Sequence, residues 1–423
     1  MVALQTDRTW LEYCCDAFDL MRDDPDDGRR VAEVLRLQAQ SRQSAVHDIA
    51  ADLIDAFADY FEGGLGLSAA VFERTAAMFE SIDETEGVAF ALLGTVAVWR
   101  RQGLAQEAFS TCHQRILPLL PTGASRLSIL LFNTLGVLSQ ELGYTEDAIR
   151  HLYTALNYAR ALEIPNRISQ ITANLGEIFY VSGNAEDAET LLQDARDIAL
   201  TSTERWLAPF ISTMLALCKV SLDKYEDAYL TVADYIDDIQ SGKRLDSPGR
   251  AFCASVAAYT LAMRGQLDEA DKLSNTAMTL LDHFEDRHLK PYSWWVSGHL
   301  HRRHKRYAEA IRDLRRAVDE IGGNGYIYMP LRAIRELAEI FAEQGNWQEA
   351  YQEQQRYLAL FTKAQGQATR VHVQTLHIKN ELKEAELARR LAEEAMAERK
   401  QLDDEMKRIL AERETILENS IVG

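Results

Sequence analysis

One small residue recurs along this chain at a nearly fixed interval: Ala108, Ala148, Ala188, Ala228, Ala270, Ala310 and Ala350 are 40, 40, 40, 42, 40 and 40 residues apart. Such a period marks a repeat array, in which each unit is too small to bury its own apolar face and buries it against its neighbours. The length of 423 residues agrees, because a single hydrophobic core stops growing well below that size. Acidic residues or Gln precede the anchor in Thr145-Glu-Asp-Ala148, Ala185-Glu-Asp-Ala188, Tyr225-Glu-Asp-Ala228, Leu267-Asp-Glu-Ala270 and Trp347-Gln-Glu-Ala350. Carboxylates there suit the first turn of a helix, where they face the positive end of its dipole. Each alanine is therefore expected at a helix start.

Five residues before the anchor a glycine recurs, at Gly103, Gly143, Gly183, Gly265 and Gly345. Glycine tolerates the left-handed backbone that ends one helix just before the next begins. Twelve before the anchor stand Leu135-Gly136, Leu175-Gly176 and Ser297-Gly298, with Leu215-Ala216, Ala257-Ala258 and Leu337-Ala338 in other units. Seven after it come Ala155, Ala195, Ala277 and Ala317. Small residues at these places let two antiparallel helices approach closely. The unit is helix, tight turn, helix.

From Asn133-Thr-Leu-Gly136 through Ala155, and from Ala173-Asn-Leu-Gly176 through Ala195, the sequence resembles the tetratricopeptide repeat (TPR) family, whose consensus sets Leu-Gly, a Tyr-like residue, Gly, Ala, a Phe-like residue and Ala in this order. The resemblance covers about Thr85 to Phe361 and implies an all-α, TPR-like right-handed α-solenoid. Two departures stand out. The period is about 40 where the family has 34, which predicts helices about three residues longer, and the consensus proline is largely missing, although Pro165 follows the Gly136 unit. A HEAT or armadillo array also fits a period of 40; the Leu-Gly and Gly-to-Ala spacings favour TPR.

The expected organisation is an N-terminal helical cap with a degenerate first repeat over 1–84, seven repeat units over 85–365, and a long charged helix over 366–418. Helical patterns run through Thr9 to Met21, Arg29 to Gln43, Ser44 to Phe61 and Leu67 to Ile82, the last one period before Ala108. From Thr369 to Glu418 there is no proline and no glycine, and 383–414 is mostly Ala, Leu, Glu, Lys and Arg. A seam with steps of three, four, seven and eleven passes through Leu376, Leu387, Leu391, Ala395, Leu402, Met406, Ile409 and Ile416, a stuttered coiled coil rather than a strict heptad. It marks Leu387, Leu391, Leu402, Met406, Ile409 and Ile416 as a homodimer contact. The competing reading is one charged helix packed back on the repeats. The last residues, Ile416-Leu-Glu-Asn-Ser-Ile-Val-Gly423, resemble the opening of a PAS domain, with 419–423 as its start. With the run at 380–388, they make the chain similar to bacterial TPR proteins whose repeats feed a signalling helix and then PAS and cyclic-di-GMP synthase (GGDEF) domains. That resemblance implies a diguanylate cyclase parent, while no residue of the enzymatic motif lies in this segment. Alternatives are the sensing region of a transcriptional regulator and a stand-alone adaptor.

In TPR arrays ligands lie mainly against the first helices, at positions three before and one, four and five after the Gly/Ala anchor. Carried over, the resemblance marks Arg100, Arg101, Asn133, Gln140, Glu177, Tyr180, Tyr259, Trp295, His299, Arg302, Arg303 and Arg335 as partner-binding residues, a mixture suited to a peptide or protein. The segment from Arg287 to Arg306 is basic and aromatic, readable either as a receptor for an acidic peptide, an anion or a neighbouring domain, or as a basic inter-helix turn. Its His299, His301 and His304 have no ligand set completed by spacing, and neither a metal nor a cofactor is expected.

The formal charge of −19 disfavours nucleic acid and anionic membrane surfaces as partners. No signal-like segment and no long apolar run is present, and Cys14, Cys15, Cys112, Cys218 and Cys253 show no ligand spacing, so a cytoplasmic protein with buried reduced thiols is expected. Phosphate loops, GxSxG and HExxH are missing, which argues against catalysis by this segment.

Overall fold

The structure, a computed structural model, describes residues 9–202, 206–241, 248–284, 289–321, 328–366 and 368–381, with 383, 384 and 387 beyond them. Among these residues every regular element is helical. The chain divides into a unit Met1–Val371 and a second unit His372–Gly423. The first holds three N-terminal helices, α1 (Trp10–Leu20), α2 (Pro25–Arg42) and α3 (Ala45–Phe61), followed by α4 (Leu65–Glu80). The hairpins continue as α5 (Thr85–Arg101) with α6 (Ala105–Thr111), α7 (Arg126–Glu141) with α8 (Thr145–Ala161), and α9 (Pro165–Val181) with α10 (Ala185–Ala199). Next come α11 (Leu207–Ser221) with α12 (Tyr225–Ser241), α13 (Pro248–Met263) with α14 (Leu267–Phe284), and α15 (Lys290–Arg303) with α16 (Tyr307–Ile321). The last hairpin pairs α17 (Tyr328–Glu343) with a helix over 347–366, here α18.

Each anchoring alanine is the fourth residue of the second helix of its hairpin, and six of the seven, Ala108 to Ala310, are buried. The turn before it is left-handed in every unit: Gly103, Gly143, Gly183, Gly265 and Gly345 have φ between 76° and 96°. In the two units without a glycine, Asp223 and Lys305 adopt the same conformation at φ 57° and 59°. The hairpin geometry therefore overrides the cost, of order 1 kcal/mol, of placing a side chain in that region.

Close approach explains the second ladder. A Cβ added to Gly136, Gly176 or Gly298 would sit 2.5, 2.8 or 2.7 Å from the Cγ of Leu152, Leu192 or Leu314, sixteen residues on. Where the anchor is Ala216 or Ala258, position sixteen holds the smaller Val232 or Ser274. The larger residue at one position is matched by a smaller one at the other, as dense packing requires.

α2 starts four residues before the expected Arg29, because the Asp24 side chain accepts from the Asp26 N–H and Pro25 fits the first helical position. Upstream, α3 and α4 keep the period of about 40, with Ser68 buried where later units have the anchoring alanine. Phe57, Phe72 and Phe90 form a buried aromatic cluster with ring centroids 4.7 and 5.2 Å apart, onto which Phe18 of α1 closes at 5.0 Å. Each such ring contributes about 1.5–3 kcal/mol through burial.

Contacts between residues far apart in sequence decide how the hairpins coil. Asp16 meets Arg126 at 2.5 Å, Asp19 pairs with buried Arg167, and the Asp23 carboxylate accepts the Trp206 N–H at 2.6 Å. α1 and the turn after it thus cross the beginnings of α7, α9 and α11, three successive first helices. Arg332 of α17 donates to the Val220 carbonyl and, at 3.2 Å, to Asp223, so α17 lies against the turn after α11. In the second unit Leu387 is exposed, while Leu391, Leu402, Met406, Ile409, Ile416 and the phrase 416–423 lie outside the described residues.

Candidate functional site

All twelve candidate residues stand on first helices of the hairpins, on α5, α7, α9, α13, α15 and α17, with none on α11. Many of them touch a residue one period plus one further on. Arg100 Nε donates to Glu141 at 2.6 Å, Asn174 Nδ2 donates to Asn133 Oδ1 at 2.7 Å, and the Tyr180 hydroxyl meets Ser221 Oγ at 3.2 Å. Arg101 donates to the Tyr60 carbonyl at 3.2 Å and lies over its ring. Trp295 Nε1 donates to Glu336 at 3.2 Å, and Arg302 bridges Glu339 and Glu343 at 2.5 and 2.6 Å. A residue on one first helix faces its counterpart on the next because adjacent helices are in register.

The row separates into open and closed stretches. Arg100, Arg101, Asn133, Gln140 and Glu177 are half-buried, and Arg303 and Arg335 are exposed, Arg335 paired with Glu339 at 3.0 Å. Tyr180, Tyr259, Trp295 and His299 are buried. Tyr259 packs on Trp295 and His299 with centroids 4.4 and 4.7 Å away, and His299 Nδ1 meets the other Glu336 oxygen at 2.9 Å. These four are the floor beneath the row; their aromatic area is spent on packing between units. Burial raises the Glu336 carboxyl, yet His299, Arg302 and Trp295 outweigh it and hold Glu336 below the ordinary range. Burial, with Glu336 nearby, pushes the Tyr259 phenol up.

Several of the described side chains in the basic segment 287–306 have acidic partners. His304 meets Asp271 at 2.8 Å, His301 meets Asp313 at 3.3 Å, and Arg302 holds its two glutamates. The three histidines address three separate carboxylates from three helices, and among the described residues no set of three ligands converges. The five cysteines are free and buried, and burial raises their thiols, to about 12 for Cys112, which leaves them protonated and unreactive.

Sequence reasoning missed the partners of the row: Glu141, Asn174, Ser221, Glu336, Glu339 and Glu343. Adding 37 or 41 to a candidate position finds each of them. Neither step finds the contacts of Arg332, which reaches from α17 to Val220 and Asp223 at the α11–α12 turn, 112 and 109 residues away.

No family model matches the sequence, and no curated protein matches it. Solved structures do resemble it. A Rap protein complexed with competence and sporulation factor superposes with a TM-score of 0.57 at 13% identity, covering 85% of this chain and 99% of that one. The Rap conjugation gene regulator of plasmid pLS20, in complex with the Phr* peptide, gives 0.54 at 14% identity, over 84% and 96%. The apo quorum sensor NprR from B. thuringiensis gives 0.51 at 11% identity, over 83% and 98%. The chain has the TPR-like helical-repeat fold of these structures.

Proposed function

We propose that the chain is a peptide-binding regulatory repeat protein of the cytoplasm, with the peptide lying along the half-open first-helix row of α5, α7 and α9. The observation that carries this reading is the Asn133–Asn174 amide pair, flanked by Arg100 and Glu177 on the same row. A primary amide presents donor and acceptor together, the combination that matches the N–H and C=O of an extended peptide backbone. Arg and acidic neighbours then select its side chains. One of the similar structures is a complex with the Phr* peptide, and another a complex with competence and sporulation factor.

Binding would be passed on through the helix that follows the repeats, by shifting the populations of its arrangements. The resemblance at Ile416–Gly423 directs that relay to a PAS and cyclic-di-GMP synthase output; the alternatives are a transcriptional regulator and an adaptor.

Selection of random displayed peptides against the full chain tests the reading. Enriched peptides should lose roughly tenfold in affinity, about 1.4 kcal/mol, when Asn133→Ala and Asn174→Ala are combined, with thermal unfolding little changed. Failure to enrich any peptide, or binders indifferent to both asparagines, overturns it.

A further inference from the structure

In the unit Met1–Val371, α18 differs from every other helix in what it leaves bare. Trp347, Tyr351, Leu358 and Phe361 are 70%, 65%, 54% and 40% exposed, while no other described helix there leaves more than two large apolar side chains exposed. At 100° per residue these four, with exposed Gln354, fall within a sector of about 80° and extend over about 21 Å. The stripe carries no charge. The four charged residues of α18, Glu349, Glu353, Arg356 and Lys363, sum to zero and lie outside the sector, Glu353 and Arg356 paired at 3.7 Å.

We infer that this stripe is the contact of a homodimer, two copies of α18 crossing antiparallel about a two-fold axis at Gln354. Self-complementarity argues for a second copy. Trp347 and Phe361 lie seven residues to either side of Gln354, and Tyr351 and Leu358 three and four, so reversal sets an aromatic ring beside an aromatic ring and Tyr351 beside Leu358. Gln354 meets its own image, amide to amide. This is what an isologous interface demands. Charge argues the same way. Each copy carries −19, and two such chains repel least where they present a neutral face.

Sedimentation velocity of the full chain tests this. A dimer is expected that Leu358→Glu converts to monomer, while Leu67→Glu, at a barer site on α4, and the seam variant Leu387→Glu with Leu402→Glu leave it intact. Raising salt should strengthen the dimer by screening the net repulsion. Because all five native cysteines are buried, Gln354→Cys adds one accessible thiol, which a short bis-maleimide should join to its own image even if Leu358→Glu folds poorly. A chain monomeric at every concentration, a dimer lost in the seam variant and kept in Leu358→Glu, or Gln354→Cys that never cross-links, overturns the inference.

Discussion

The two ends of the repeat array face the same physical problem and answer it differently. A stacked hairpin always leaves one apolar face without a neighbour. At the N-terminal end α1 and α2 cover that face: Phe18, Tyr13, Cys14 and Cys15 enter the core, and Asp16, Asp19 and Asp23 fasten α1 and its turn to three first helices. At the C-terminal end α18 leaves Trp347 and Tyr351 in water, and Gln354 is exposed where the other hairpins bury Leu152, Leu192, Val232, Ser274 or Leu314. One end is built to be closed by its own chain. The other has the composition of a surface awaiting a partner.

Breaking the closed end should have the largest effect. Asp19→Ala leaves the Arg167 guanidinium buried without its carboxylate, and removing one member of a buried pair costs about 3–5 kcal/mol. Denaturant unfolding should show that loss, whereas Trp347→Ala, measured on dilute monomer, should stay within about 0.5 kcal/mol. Similar losses from both changes would erase the contrast.

Acid sharpens it next. Near the closed end His113 and His151 lie 5.6 Å apart between Phe109 and Phe132, and burial, aided by His113, lowers His151 to about 4. The unfolded chain binds that proton near 6.5. Its contribution is thus complete above 6.5 and is lost as pH falls toward 4, up to about 3 kcal/mol. Nearer the open end burial lowers His301 as well, but there Asp313, 3.3 Å away, pulls the other way. His151→Phe should flatten the fall in stability between pH 6.5 and 4, and an unchanged slope would assign the acid sensitivity elsewhere.

The smallest effect compares packing inside the hairpins. Gly136→Val forces a side chain onto Leu152, a cost of about 1–3 kcal/mol. Ala338→Val at the same place in the last hairpin should cost less, because the residue sixteen further on, Gln354, is exposed and free to yield. Equal melting-point losses would show the last hairpin to be packed as tightly as the rest.

How far the sequence could be read follows from the range of each interaction. The anchoring alanines, the left-handed turn five residues earlier and the small residues where two helices approach lie within one hairpin, so local spacing announces them, while the leucine that each glycine meets came only with the structure. The candidate row was legible as a set of positions, since first helices repeat in register, and its unrecognised partners sit one period away. Whether a side chain in that row is open or closed was not legible. Arg100 and Tyr180 occupy the same position on their helices, two periods apart, yet Tyr180 is floor and Arg100 half-open, because exposure depends on how the next unit closes over it.

By itself, then, the sequence determined the hairpin, its period and the helices that share a face, because these depend on side-chain volume and backbone conformation within some forty residues. Only the tertiary structure decided that Asp19 meets Arg167 and that Arg332 meets Asp223, 148 and 109 residues apart. Such meetings are fixed by the small rotation that each hairpin adds to the last, and that sum is written in no single repeat.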